Sequence, residues 1–251
     1  LYIVGTGLAI AMTMVMAMVY YVKIAPVYPE VNRLNTLYLT SCKMESGTEG
    51  NKSQYQWAVS YKALQEWFYP TKNALCVSAQ LDDRAFQNSY IQSADLSGDF
   101  PVKVKLTDPD FFRIYRFHFL EGSPFTASDL ASGLCTAVIT DELSRRLFGT
   151  TEGVVGRSFR LDYTDYRVCG VIRSGSYLMR NSYSQVYLPY SVVSGYREPK
   201  YDMDYLGAFS VTFQVKDGEQ GDALRAELKE IARKENLMHP DEWKVEFWEQ
   251  P

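Results

Sequence analysis

Four cysteines and two histidines are the residues of this 251-residue chain whose chemistry is most easily recruited. Cys42, Cys76, Cys135 and Cys169 lie far apart and form no Cys-x-x-Cys pair. With His118 and His239 as the only histidines, zinc spacing is absent. An even cysteine count outside the cytoplasm is compatible with two disulfides, in which case Cys135 would pair with Cys169 and Cys42 with Cys76. All four also lie in or beside apolar runs and read as small buried hydrophobes. The run Gly47-Thr48-Glu49-Gly50-Asn51-Lys52-Ser53 has the composition of a phosphate loop, but its glycines stand too close together and Asn51 separates Gly50 from Lys52. Gly5-Thr6-Gly7 has neither the preceding strand nor the third glycine of a dinucleotide loop. His118 lies among aromatics without a second ligand and reads as a core-edge histidine. No Gly-x-Ser-x-Gly, His-Glu-x-x-His or Cys–His context occurs. No catalytic, cofactor-binding or metal-ligating residue is therefore expected, and no cofactor.

Composition bounds the rest. With 46% hydrophobic, 22% charged and 14% aromatic residues, the chain can bury a sizeable core. A net charge of -4 argues against a nucleic-acid partner.

Leu1 to Val22 carries no charge; as a helix it spans about 33 Å, enough for a hydrocarbon core of about 30 Å. This predicts a transmembrane helix over residues 1–22 of a chain that starts inside the span. Gly5 with Ala9 and Gly7 with Ala11 could form a packing seam, or simply face lipid. Pro26 and Pro29 interrupt any continuing helix. Asn35–Cys42 reads as a strand. Trp57, Tyr61, Leu64 and Phe68 predict an amphipathic helix over Gln54–Phe68, and Ala74–Gln80 a strand, giving strand–helix–strand.

The middle of the chain predicts strands at Phe86–Ala94 and Val102–Leu106. Thr107-Asp108-Pro109-Asp110 suits a helix start leading into an aromatic face of Phe111, Phe112, Tyr115 and Phe119. Glu121-Gly122-Ser123-Pro124 is a turn. A short strand at Ala137–Thr140 leads into a helix capped by Asp141 and ended at Gly149, with Arg145 and Arg146 in its last turn. Arg157–Asp162 and Asp165–Ile172 make a hairpin, and Gln185–Leu188 a strand. The tail repeats strand–helix–strand: Ala208–Val215, a helix from Gly221 or Asp222 to about Asn236, and Trp243–Trp248. The two halves could meet in one sheet.

The middle stretch resembles the MacB-like periplasmic core domain of FtsX-like ABC transporter permeases. The likeness rests on Asp108-Pro109-Asp110-Phe111-Phe112, on Phe117-x-Phe119-Leu120-x-Gly122-x-Pro124-Phe125 and Asp129, on Val138-Ile139 with the Leu147-Phe148-Gly149 helix end, on Val155-Gly156, and on Tyr166-x-Val168-x-Gly170-Val171. Ser144 stands where Ala is usual and Cys169 where Val is usual. Pro29 to Tyr38 is similar to the segment after the first span in Bacteroidetes-type members.

The resemblance implies an α+β fold: an N-terminal transmembrane helix (1–22), a Porter-like layer built from residues 23–84 and 205–251, and a Sabre-like insert over 85–204. It implies a chain without enzymatic activity that transmits ATP-driven motion across the bacterial inner membrane, with its bulk in the periplasm, to export or lipoprotein release. The implied partners are a cytoplasmic ABC ATPase, a second permease protomer, membrane lipid, and a periplasmic adaptor with an outer-membrane duct. Partner-binding residues are unknown; the stretches Tyr177–Tyr187 and Tyr196–Tyr205 are candidates by expected exposure alone, and a structural linker is the favoured reading of both. The alternative is an extracytoplasmic ligand-sensing domain of a membrane receptor.

Overall fold

The computed structural model describes residues 2–23, 25–46, 53–92, 98–199, 204–240 and 243–250. The chain begins with α1 (Tyr2–Lys23), whose side chains are exposed over residues 5–21. Among the described residues no helix is long and apolar enough to cross a membrane. The segment expected as a span is therefore present as a helix, but not as a demonstrated membrane crossing.

β1 (Thr36–Ser46) and β2 (Ser53–Val59) form an antiparallel arm, with Cys42 opposite Trp57 and Met44 opposite Tyr55. This corrects the helix expected over Gln54–Phe68. Tyr55, Trp57 and Val59 also obey a two-residue period, and β1 supplies a complete ladder for that period. Only from Tyr61 is the chain helical: α2 (Tyr61–Ala63) runs into a π-helical turn, Leu64–Phe68. Ser60 caps it by accepting from the Ala63 amide at 3.2 Å. Leu64, Trp67 and Phe68 are buried by that turn.

β3 (Cys76–Leu81) follows, then β4 (Ser89–Gln92), shorter than the strand expected over Phe86–Ala94; residues 93 and 94 lie outside the described chain. The strand expected at Val102–Leu106 is two, β5 (Asp99–Val102) and β6 (Val104–Thr107). Between them the Lys103 carbonyl accepts from the amides of Gln185 and Val186. α3 (Phe111–Ile114) is a single turn, and Phe119 belongs to β7 (Phe119–Gly122). The expected aromatic helix face is thus divided between a helix and a strand, though Phe112 and Phe119 still pack at 5.8 Å. α4 (Ala127–Ser132), not anticipated, is held by a capping box between Thr126 and Asp129.

β8 (Thr136–Thr140) leads into α5 (Asp141–Phe148), which ends at Gly149 in the left-handed region. Its cap is Thr140 and not Asp141: the Thr140 hydroxyl accepts from the Leu143 amide at 3.3 Å. Asp141 instead accepts from the Ser174 amide and hydroxyl at 2.8 and 2.6 Å. β9 (Ser158–Leu161) and β10 (Thr164–Ile172) form the expected hairpin. β11 (Val186–Pro189), β12 (Leu206–Gly207), β13 (Phe209–Gln214), α6 (Gly218–Met238) and β14 (Trp243–Gln250) complete the chain. Asp217 caps α6 by accepting from the Gln220 amide, so the helix starts three residues earlier than its apolar stripe suggests.

The strands form one mixed sheet in the order β12-β2-β1-β13-β3-β6-β11-β8-β10-β9-β4-β5, with β14 on β1 and β7 on β10. The class is α+β, as expected. β1 pairs antiparallel with both β13 and β14, so the two ends of the chain meet in the sheet. The strands from residues 85–204 that lie on this path form one uninterrupted run beyond β3, joined to the rest through Gln80 opposite Thr107 and Leu81 opposite Leu106. A main apolar core is accompanied by a second, aromatic one around Phe111, Phe112, Tyr115, Phe125 and Tyr187.

Candidate functional site

The irregular segment that follows α1 is bonded to distant parts of the chain. Pro26 and Pro29 stop the helix, and the Tyr28–Pro29 peptide is cis. The Tyr28 hydroxyl donates to the Arg173 carbonyl at 2.8 Å and accepts from the His118 amide at 3.2 Å. Its ring meets Phe117 edge-on at 6.3 Å, and the Arg173 guanidinium lies 5.9 Å above it. Partial burial raises the Tyr28 hydroxyl above the usual tyrosine range. The Pro29 carbonyl accepts from the Arg116 amide at 3.1 Å. Gly175 lies against the Pro29 ring, where a Cβ would come within 3.2 Å of Cδ.

Glu30 is only 3% exposed. One carboxylate oxygen accepts from the Ser182 amide at 3.1 Å and hydroxyl at 2.7 Å. The other accepts from the Arg33 guanidinium through Nε, at 3.0 Å, and through Nη2. A buried carboxylate of this kind persists only when its lone pairs are matched by donors. Arg33 Nη1 in turn donates to the carbonyl of Tyr21, in the last turns of α1, at 3.4 Å. A continuous bonded path therefore runs from α1 through Arg33 and Glu30 to Ser182. A second path runs from Tyr28 and Pro29 to residues 116–118 and 173, which flank β7 and β10. Both end on the aromatic core, since Phe117 packs 5.8 Å from Phe111 and 5.4 Å from Tyr187. The arrangement ties the end of α1 to the segments that flank β7 and β10 and to the aromatic core.

Beside this joint lies a groove of about 990 Å³ whose lining includes Arg33, Leu34, Tyr177, Arg180 and Val215.

The residues singled out for chemistry are dispersed. All four cysteines are free thiols, so neither expected pairing forms. Cys42 faces Trp57 and Phe247, while Cys76 faces Gln214 on another strand. The Cys169 thiol turns to the Ala137 carbonyl at 3.3 Å, and Cys135, before β8, is exposed. The reading of four buried small hydrophobes therefore fails for Cys135. Burial pushes Cys42, Cys76 and Cys169 up to about 12. His239 stacks on Trp243 at 4.7 Å. Arg145 pairs with Asp141, and Arg146 lies 3.5 Å over the Phe100 ring. Among the described residues no group of His, Cys, Asp or Glu could hold a metal ion. The glycine-rich run at 47–52 lies outside the described residues.

The first expected partner stretch is less exposed than anticipated, whereas in the second Arg197, Glu198, Pro199 and Asp204 are exposed. Within Tyr177–Tyr187, Met179, Ser182, Ser184 and Tyr187 are buried, because this segment closes over Glu30 and the aromatic core. In the other stretch Tyr196 and Tyr205 are half-buried, Tyr205 stacking on Trp67 at 4.3 Å, and residues 200–203 lie outside the described chain. The Tyr28–Glu30–Arg33 joint was not identifiable from the sequence. Its only local signal is an acid and a base three residues apart after two prolines.

The family described as the MacB-like periplasmic core domain matches residues 3–231. No curated protein matches the chain. Among solved structures, the periplasmic region of MacB from Actinobacillus actinomycetemcomitans is 13% identical, with 85% of this chain and 88% of that one covered at a TM-score of 0.56. The extracellular domain of the noncanonic ABC-type transporter YknZ from Gram-positive bacteria is 15% identical, with 83% and 99% covered at 0.54. A domain assigned to a permease protein from Porphyromonas gingivalis is 16% identical, with 89% and 91% covered at 0.58. At these identities the structures speak for the fold.

Proposed function

We propose that this chain, which belongs to the MacB-like periplasmic core domain family, is the periplasmic part of an ABC transporter permease subunit and transmits ATP-driven motion from the inner membrane to an export or lipoprotein-release process. In this reading α1 is a transmembrane helix and the body stands in the periplasm. ATP is hydrolysed by a cytoplasmic ATPase, two permease protomers work together, and a periplasmic adaptor with an outer-membrane duct receives the motion in the export case. The chain itself performs no catalysis. In this reading residues 23–84 and 205–251 form the Porter-like layer and residues 85–204 the Sabre-like insert, which meets both the helix end and the partners.

The observation that carries the reading is the bonded joint behind α1. A helix tied to its body only by a flexible linker would dissipate its movement. A helix whose exit is pinned through Tyr28, Pro29, Glu30 and Arg33 to an aromatic core moves that core as a rigid unit.

The test uses the full permease co-expressed with its ATPase in membranes. Ser182→Ala and Glu30→Ala should leave ATP hydrolysis largely intact while the periplasmic process falls, Glu30→Ala the more. Unchanged output in both variants, or loss of hydrolysis in parallel with output, would overturn the reading.

A further inference from the structure

We propose that the groove at the foot of α1 seats a phospholipid headgroup, and that Leu34 and Tyr177 on its rim enter the interface of the bilayer that holds the helix. This rests on the reading of α1 as a membrane helix.

Four observations meet at this spot. The groove, of about 990 Å³, has the size of a small-molecule site. Leu34 and Tyr177, which both line it, are 77% and 70% exposed. Two large side chains this open on the lining of one groove mark a contact surface rather than a solvated one. Tyr177 also has the apolar body and polar tip favoured where hydrocarbon gives way to water. The groove adjoins the helix end directly, because Arg33 lines it and donates to the Tyr21 carbonyl of α1. Tyr21 is itself 44% exposed, so it can share the same layer. Finally, Arg180 lies in the groove, exposed, with no ion-pair partner among the described residues. A guanidinium presents donors that fit a phosphate, and its stem can lie along the acyl-chain boundary while its head stays wet. An apolar rim with an available cation behind it is complementary to a headgroup: phosphate inward, glycerol and upper acyl chain against Leu34 and Tyr177.

The consequence is mechanical. With the rim in the interface the body touches the membrane at a point besides the joint, and its tilt follows the membrane plane.

The test uses the full chain reconstituted in vesicles of phosphatidylethanolamine with phosphatidylglycerol, on a Cys135→Ser background. A polarity-sensitive fluorophore is placed singly at Leu34→Cys, at Tyr177→Cys, at Met12→Cys within α1 and at Tyr163→Cys on the distant β9–β10 turn. Brominated lipids should quench the Met12, Leu34 and Tyr177 labels at least about twofold and leave the Tyr163 label unchanged. Arg180→Glu should reduce quenching at Leu34 and Tyr177 but not at Met12. If Met12 is quenched and Leu34 and Tyr177 are open to an aqueous quencher, the headgroup seat is wrong while the membrane helix stands. If those two are shielded from both quenchers, protein covers the groove and the proposal also fails. If Met12 is not quenched, the membrane reading and the seat fall together.

Discussion

Ser182 donates its amide and its hydroxyl to the same carboxylate oxygen of Glu30, across 152 residues of sequence. One segment follows the N-terminal helix and the other precedes β11, so a single buried carboxylate ties together two segments that are distant in the chain. Glu30→Ala leaves the Arg33 cation and the Ser182 donors without their acceptor, and should cost about 3–5 kcal/mol. Ser182→Ala removes one charge-assisted bond and should cost about 1.5–3 kcal/mol. Urea denaturation measures both, as lower midpoints at unchanged slope.

Asp108 gives the fold a pH dependence. Its carboxylate is buried and accepts from the Ala79 amide and Ser78 hydroxyl at 2.7 Å, and from the Phe111 amide and Tyr69 hydroxyl at 3.1 Å. Burial outweighs these donors and pushes the group up to about 6. A carboxyl whose folded value lies above its unfolded one favours the fold when protonated. That contribution is complete below the ordinary value of about 4 and is lost as the pH rises through about 6. Between pH 5 and 7 the wild type should therefore lose on the order of 1 kcal/mol that Asp108→Asn does not. Denaturation midpoints at the two pH values decide it.

The thiols should react in two classes. Cys135 is exposed, whereas burial raises Cys42, Cys76 and Cys169 and withholds their thiolates. A disulfide reagent added to the native chain should titrate Cys135 rapidly and the other three only after denaturation. Cys135→Ser should abolish the fast phase.

How far the sequence foretells these features depends on how local their causes are. The β8–α5 unit and the β9–β10 hairpin are legible because cap, period and left-handed glycine lie within a few residues of what they control. Gln54–Phe68 misleads because Trp57 fits a helical stripe through Tyr61, Leu64 and Phe68 and a strand alternation through Tyr55 and Val59 at once. Only the presence of β1 decides between them. Phe119 joins a strand for the same kind of reason, since its partner Ile172 lies far along the chain. The joint was invisible because Glu30 has no meaning until Ser182 arrives. The exposure expected of Tyr177–Tyr187 failed because a polar-aromatic run can be a lid over a buried acid as well as a loop in water.

Gly122 explains why a glycine stands in the Phe-x-Phe-Leu-x-Gly run. Its φ is +70°, and a Cβ there would come within 2.2 Å of the Cys169 carbonyl oxygen. Gly122→Ala must both strain the backbone and push β7 away from β10, at roughly 2–5 kcal/mol. Gly149→Ala, also at positive φ but in open space, should cost only about 1 kcal/mol. Thermal melts of the two variants side by side check the ranking.

In the proposed function, movement of α1 reaches the periplasmic body through the joint. This is tested most directly by pulsed electron spin resonance on the assembled permease with its ATPase in nanodiscs. Spin labels go on Tyr163→Cys, which is 94% exposed at the β9–β10 turn, in each protomer on the Cys135→Ser background. Binding a non-hydrolysable ATP analogue should shift the label-to-label distance distribution by several ångströms, and Glu30→Ala should suppress that shift. A wild-type distribution that ignores nucleotide, or a Glu30→Ala shift equal to the wild type's, would contradict the account.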